Sequence, residues 1–447
     1  MSRPEGAPEH GAAEPSPPMR DTRAFRPGPA TSAWVLAILL LAYVLNFVDR
    51  QVLALVLEDV KADLSLTDAQ LGWLLGPAFS LFYTVAGFPI ARLADTWSRK
   101  GVLAASLAVW SAMTAFCGSA VGFGQLLVAR FGVAVGEAGG TPPSHSLISD
   151  YFPPDRRATA LAIYGWGIFF GTGFGFVLGG LVVEAFDWRT AFYVAGALGL
   201  PVVALLLLTV EEPPPGASEG RARAAAPTLR EVVRLITRTR SFVWLLAAAA
   251  CQAFLGYTVL GWGATFLRRV FDLSASEAGW QFGIAAAAAG AIGITIGGVW
   301  ADRAAARDGR WYGWISAISS FSALPFALLF AWADDSGLAV AAFAIFYLLN
   351  NVYVSSLWAM AQNLVPPRMR STASATQLSV LNIVGLGGGP LMAGYVSDFL
   401  EPTRGADGLR VALTVAALVG ALAGVFFLVC ARTLREDLAG AYVEETP

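Results

Sequence analysis

The chain has 447 residues, 56% of them hydrophobic and only 14% charged, with a net charge of −2 and a mean hydropathy of +0.59. A soluble globular chain carries roughly 25% charged residues, so this composition excludes an ordinary soluble enzyme. The net charge says nothing about partners, and no Lys/Arg cluster interleaved with aromatics points to nucleic acid.

Residues 1–31 are rich in Pro, Ala, Gly and Glu and lack an apolar signal core, which predicts a disordered tail. Apolar spans follow near 33–57, 70–91, 101–120, 124–149, 157–183 and 188–210. Each is long enough to cross about 30 Å of hydrocarbon. Then comes a polar segment, 211–240, that opens with two glutamates and three prolines and carries six arginines from Arg221 to Arg240. A second set of spans lies near 242–266, 276–300, 313–332, 338–363, 372–397 and 409–431, and residues 433–447 form a second tail. The expected fold is an all-α membrane protein of twelve transmembrane helices in two six-helix bundles, 32–210 and 241–432, joined by the 211–240 linker. Cys117, Cys251 and Cys430 lie inside apolar runs, spaced for neither a metal site nor a disulfide framework.

The basic residues orient this arrangement. With both termini cytoplasmic, inside segments hold 22 of the 30 Lys and Arg residues and outside segments 6, a bias that fixes topology. The halves also repeat. Ala91-Arg-Leu-Ala-Asp95 recurs as Gly298-Val-Trp-Ala-Asp302, and Pro153-Pro154-Asp-Arg-Arg157 recurs as Pro366-Pro367-Arg-Met-Arg370. The offsets, 207 and 213, agree closely enough to imply a duplicated six-helix unit. Secondary transporters are built from such repeats, with the substrate site near the midplane between them. No phosphate-cradling loop is present, and the only two lysines, Lys61 and Lys100, lie in loops, so no buried lysine could carry a Schiff base. No cofactor is expected, and either a solute gradient supplies the energy or transport is passive.

Four charges interrupt the apolar spans. Asp49 and Arg50 lie in helix 1, Arg130 and Glu137 in helix 4. A charge at the centre of a membrane helix costs about 2.5–3.5 kcal/mol on insertion scales, so such residues mark function by default. Arg130 and Glu137 stand two turns apart on one helix face, and Asn46 shares a face with Asp49. Two ion pairs tying helix 1 to helix 4 would be the purely structural reading. The second half offers uncharged groups: Gln252, Tyr257 and Trp262 in helix 7, and Asn350, Tyr353 and Trp358 in helix 10. A cavity with charge on one wall and neutral, aromatic groups on the other suits an amphipathic molecule.

The stretch Ala91-Arg-Leu-Ala-Asp95-Thr-Trp-Ser-Arg99-Lys100 resembles the signature loop of the major facilitator superfamily, departing from it at Ala91, Thr96 and Ser98. Within that superfamily the chain is similar to the spinster family of lipid transporters. The likeness rests on Asn46-Phe-Val-Asp49-Arg50, on Trp97-Ser98-Arg99-Lys100, and on Arg130-Phe-Gly-Val-Ala-Val-Gly136-Glu137-Ala138 followed by Pro142, Asp150 and Phe152. The resemblance implies a cavity lined by helices 1, 4, 7 and 10, with Asp49 and Glu137 as protonation sites and Arg50 and Arg130 as their partners. It implies Asn46 and the helix 7 and 10 residues as substrate contacts. Asp95, Arg99 and Lys100 lie in a cytoplasmic loop, and with Asp302 as a second copy of the aspartate they read as a gate, a solvated, topology-fixing charge cluster being the alternative. A buried carboxylate holds its proton more tightly and a nearby arginine loosens it, so a moving arginine can load and unload one.

The expected activity is proton-coupled alternating-access transport of a lysophospholipid or sphingoid lipid, with no enzymatic step. Other drug or organic-anion transport is the alternative, and unpaired arginines would favour it. A transporter-like sensor is the alternative from another class. The expected partners are the lipid-like substrate, protons and the bilayer, with no nucleic acid, and the chain is expected to act as a monomer. High Ala and Arg content and short loops point to a bacterial inner membrane. His145 reads as a hydrogen-bonded helix-end histidine in preference to a proton relay. The glycine-rich runs Gly171–Gly180 and Gly385–Gly389 read as sites of close helix approach.

Overall fold

The structure is a computed structural model that describes residues 25, 27–213, 228–366 and 369–443. Among the described residues every regular element is helical. The first bundle contains α1 (Pro29–Leu55), α2 (Leu57–Leu64), α3 (Asp68–Leu75), α4 (Pro77–Thr96), α5 (Arg99–Gly118), α6 (Phe123–Ala138), α7 (Thr141–Tyr151), α8 (Pro154–Gly165), α9 (Gly167–Ala185) and α10 (Trp188–Thr209). The linker contributes α11 (Leu229–Arg238). The second bundle contains α12 (Arg240–Phe271), α13 (Ala275–Ala305), α14 (Trp311–Trp332), α15 (Ser336–Asn363), α16 (Arg370–Val380), a π-helical segment (Leu381–Gly388), α17 (Gly389–Arg404) and α18 (Asp407–Val443).

Local chemistry sets many of the helix starts. Side-chain oxygens of Thr67, Ser98, Asp187, Ser274 and Asp335 accept backbone N–H groups in the first turns of α3, α5, α10, α13 and α15. Eleven helical stretches among the described residues are long and apolar enough to cross a membrane. The predicted fourth span, 124–149, is divided at Gly139–Gly140 into α6 and α7, of 16 and 11 residues. Neither alone reaches the roughly 20 residues a crossing needs; together they fill the place of the twelfth helix. At the break, the N–H groups of Gly139 and Gly140 turn to the carbonyls of Gly136 and Glu137, and Pro142 in the first turn of α7 forgoes a donor that the helix start does not use.

The halves meet along small residues. A Cβ on Gly76 would stand 2.5 Å from the Gly387 carbonyl oxygen, and one on Gly279 would stand 2.4 Å from the carbonyl of Phe176. Thus α3 and α4 lie against the π-helical segment and α17, and α9 lies against α13. The expectation for Gly171–Gly180 and Gly385–Gly389 holds at Gly173, Gly180, Gly387 and Gly389, each in contact with a neighbouring helix. The π-helical turns at Leu381–Gly388 had no sequence signal; an i→i+5 stretch leaves a widened helix at the face that lines the inter-bundle cleft.

Candidate functional site

Between the bundles lies a cleft lined by Phe47, Arg50, Gln51 and Phe79 from the first half, and by Tyr257 and Leu260 of α12, together with Leu386 and Pro390, from the second. Arg130 also reaches it. The four intramembrane charges are brought together here, but not as two pairs. Arg50 donates from Nε to Glu137 Oε2 at 2.7 Å, with side-chain exposures of 18% and 0%. Its guanidinium also lies over the rings of Phe47 (4.9 Å), Phe79 (4.5 Å) and Tyr83 (5.3 Å). Cation–π contacts of this kind hold a desolvated arginine without cancelling its charge.

Asp49 does not pair with an arginine. Its Oδ2 accepts from Thr114 Oγ1 at 3.1 Å, and Oδ1 is buried without a partner. Arg130 stands over the opposite reach of the Phe79 ring, 5.4 Å from its centroid, and its Nε has no hydrogen-bond partner. Glu137 Oε1 is likewise unpartnered, with Asn46 beside the carboxylate. One ion pair, one unpaired carboxylate and one unpaired arginine therefore share a single buried chamber. Groups left unsatisfied in low dielectric are costly, and a second arrangement of the same four charges would relieve them.

The residues expected to contact substrate divide into two sets. Tyr257 lines the cleft, and Asn46 lines a small adjacent cavity with Tyr43, Trp110, Ser144 and Tyr164. Trp262 is fully buried and donates from Nε1 to the Pro390 carbonyl at 3.0 Å, which makes it a strut between α12 and α17. Gln252 and Asn350 are buried and hydrogen-bond each other at 2.7 Å. Tyr353 packs its ring near Phe427 inside the second bundle, and Trp358 is half-buried on α15. His145 is exposed on α7 and sets its ring edge-on to Tyr164 at 5.4 Å.

The expected gate residues also separate. The Asp95 side chain lies outside the described residues, and Asp302 is exposed at the end of α13. Arg99 and Lys100 are fixed to the segment that leaves α10. Arg99 pairs with Asp150 and donates to Glu212 Oε1 at 3.0 Å, while the Lys100 backbone N–H and the Ser98 hydroxyl donate to Glu212 Oε2 at 2.7 and 2.8 Å. Burial raises the Glu212 carboxyl, but these donors outweigh it and hold the group below its ordinary range.

A third cluster, at the opposite end of the bundles, was missed by sequence reasoning. Arg269 donates to Glu58 at 2.6 Å and to Asp68, which is fully buried. Asp68 also takes Lys61 at 2.9 Å and the Ser397 hydroxyl at 2.6 Å, and Asp398 accepts the backbone N–H groups of Asp68 and Ala69 at 2.7 Å each. Arg268 pairs with Asp59 at 2.6 Å. Every one of these bonds except the Lys61–Asp68 pair crosses between the halves, so this end is closed by an ionic lock. The signal was available: Glu58-Asp59 and Arg268-Arg269 are opposite-charge doublets predicted on the same membrane side.

Residues 39–389 match the family model described as Major Facilitator Superfamily. The chain belongs to that superfamily. Within it the chain is of spinster type: it is 30% identical over 442 residues to human protein spinster homolog 1, covering 92% of this chain and 82% of that protein. It is also 34% identical over 426 residues to an MFS-type efflux pump of Mycolicibacterium smegmatis, covering 94% of this chain and 97% of the pump. Among solved structures it is similar, at 30% identity and a TM-score of 0.84, to a bacterial homologue of the human lysosomal transporter spinster in an inward-facing, unoccupied conformation, covering 92% of this chain and 99% of that one. The chain is thus a multi-pass membrane transporter, and membership in this superfamily accounts for the twelve-helix, two-bundle architecture.

Proposed function

We propose that the chain is a proton-coupled alternating-access transporter of an amphipathic, lipid-like molecule in a bacterial inner membrane. The observation that carries this reading is the incompletely paired charge set. Arg50 holds Glu137 while Asp49 and Arg130 stand unpaired beside them, at a cleft whose second-half wall is Tyr257, Leu260, Leu386 and Pro390. Protonating Glu137 would free Arg50 to seek Asp49 or a substrate head group, and the apolar wall would take the chain. A proton can move the balance only by its differential affinity for two states, and a carboxylate paired in one state and unpaired in the other supplies that difference. With both termini cytoplasmic, as the arginine bias favours, the ion-locked end faces outward and the cleft is read as open inward. The substrate class by this reading is a lysophospholipid or a sphingoid lipid.

A second reading is efflux of drugs or organic anions. Arg130 without an ion pair, and the likeness to a mycobacterial efflux pump, favour it. Flux into proteoliposomes separates the two when a lysophospholipid, a sphingoid base, an apolar cation and an organic anion are each tested with and without an imposed pH gradient. Gradient-stimulated flux of the two lipids alone supports the proposal, and flux of the anion alone replaces it with the second. Absence of flux for every class would favour the sensor reading.

A further inference from the structure

The second bundle carries an uncharged polar cluster near the positions that match the charge site. The sequence repeats relate the halves by offsets of 207 before the fourth helix and 213 at its end. Asn350 lies 213 residues after Glu137, while Gln252 and Ser320 each lie 206 after Asn46 and Thr114, one position short of the loop offset. At 207 Asp49 falls on Gly256 and Arg50 on Tyr257, and at 213 Arg130 falls on Phe343. A Cβ added to Gly256 would meet one atom within 4 Å, Asn350 Nδ2 at 3.2 Å, so the position matching Asp49 lies against the position matching Glu137. Gln252 Nε2 donates to Asn350 Oδ1 at 2.7 Å, and Ser320 Oγ donates to Gln252 Oε1 at 2.9 Å. All three residues are buried, and each bond joins two helices: α12 to α15, and α14 to α12.

We infer that Gln252, Asn350 and Ser320 form a pH-indifferent clamp that makes α12, α14 and α15 move as one body, confining the response to protons to the first half. The inference rests on the proton-coupled reading of the first-half site. Physically, a neutral hydrogen bond inside a bilayer has no protonation state that could release it, whereas the Arg50–Glu137 bond has one. The titratable groups packed around the clamp do not change this. They are Cys251 and Tyr257 on α12, Tyr347 and Tyr353 on α15, Tyr312 on α14 and Cys430 on α18, all of side-chain types that ordinarily titrate above about pH 8. Charged groups on α13, Glu277, Asp302 and Arg303, lie at its two ends. Full satisfaction at Gln252 also contrasts with the orphaned atoms of Asp49, Arg130 and Glu137. A satisfied buried network rigidifies, and a half-satisfied one is poised to rearrange.

The test uses full-length protein in lipid nanodiscs, with spin-label pairs spanning α1–α6 and α12–α15, read from about pH 5 to about pH 8. In the parent protein the α1–α6 distance distribution should shift with pH and the α12–α15 distribution should not. Asn350→Asp, nearly isosteric, places a titratable group in the clamp and should make the α12–α15 distribution pH-dependent. Asn350→Leu should broaden that distribution at every pH and lower transport by about tenfold, the cost of one buried hydrogen bond, without moving the pH midpoint. The clamp is overturned if the parent α12–α15 distances follow pH, if Asn350→Asp leaves them flat, or if Asn350→Leu moves the midpoint. A flat α1–α6 response in the parent refutes the proton switch instead, and the clamp is then decided by the two Asn350 variants.

Discussion

Replacing Glu137 by Gln isolates the charge from the shape. The side chain keeps its volume and can still accept from Arg50 Nε, so the loss is electrostatic. The parent pair stands at 2.7 Å with the carboxylate wholly buried. Two charges about 4 Å apart at an effective dielectric of about 20 interact by about 4 kcal/mol. If the pair forms in one of the two transport states and is absent from the other, its loss moves their ratio by up to about three decades. Arg50 remains seated among Phe47, Phe79 and Tyr83, which limits the disruption of the fold. The assay is the pH profile of opening, read as the distance between labels across the two ends of α4 and α13, together with gradient-driven flux. The expected result is a population fixed near the low-pH limit of the parent and no stimulation by a proton gradient. A Glu137→Gln protein whose opening and flux follow pH as the parent does would refute the switch.

Arg269→Gln removes the hub of the ionic lock, which binds Glu58 and Asp68 together; the lock-end surface should become more reactive to a thiol label on a cysteine placed at the partly buried Ala69, and unchanged labelling would show that the lock does not set the closed state. Glu58 in α2 belongs to the same hub and should share the phenotype. Trp262→Ala empties a fully buried site and breaks the bond to Pro390, so it should cost about 3–5 kcal/mol of stability, seen as a lower melting temperature, with equal effects on long- and short-chain substrates. Glu212 is held below its ordinary range, so its stabilisation is complete above the unfolded value of about 4.3 and is lost as pH falls through the lower folded value. Melting temperature should therefore drop at acid pH more steeply in the parent than in Glu212→Gln, and parallel curves would remove Glu212 from the clasp.

How much of this was legible depends on the kind of signal. The helices and their duplication are written in apolar runs and loop repeats, because hydrocarbon thickness fixes a minimum span and because the bilayer admits no other backbone solution on a helical chain. The four charges were legible because they are expensive where they stand. Their partners were not. Helical spacing places Arg130 and Glu137 on one face of α6, yet Glu137 is taken by Arg50 from α1, and a three-dimensional approach of two helices has no one-dimensional trace. Trp262 misled for a related reason: an indole suits a cavity wall and a buried strut equally, and only its bond to the Pro390 carbonyl distinguishes them. The division of the fourth helix at Gly139–Gly140 is visible as two glycines and then two prolines, a breaker signal that a hydropathy window averages away.

Under the proposed mechanism the ionic lock and the charge site act on one another, since both would report on the same two states. The lock spends several charge-assisted bonds between the halves, centred on a buried Asp68. Removing one partner of a buried pair costs about 3–5 kcal/mol, so the lock could not open readily unless water hydrates its members as they part. Their partial exposure provides that: side-chain exposures are 13% for Arg269, 27% for Glu58 and 22% for Lys61. The charge site has no such solvent at Glu137, where exposure is 0%. Its rearrangement must instead be compensated by a proton or by a substrate head group. The lock end can therefore carry many ion pairs, while the proposed coupling site carries one pair and two unpaired groups, and under that proposal this division of exposure makes the second the controlling element.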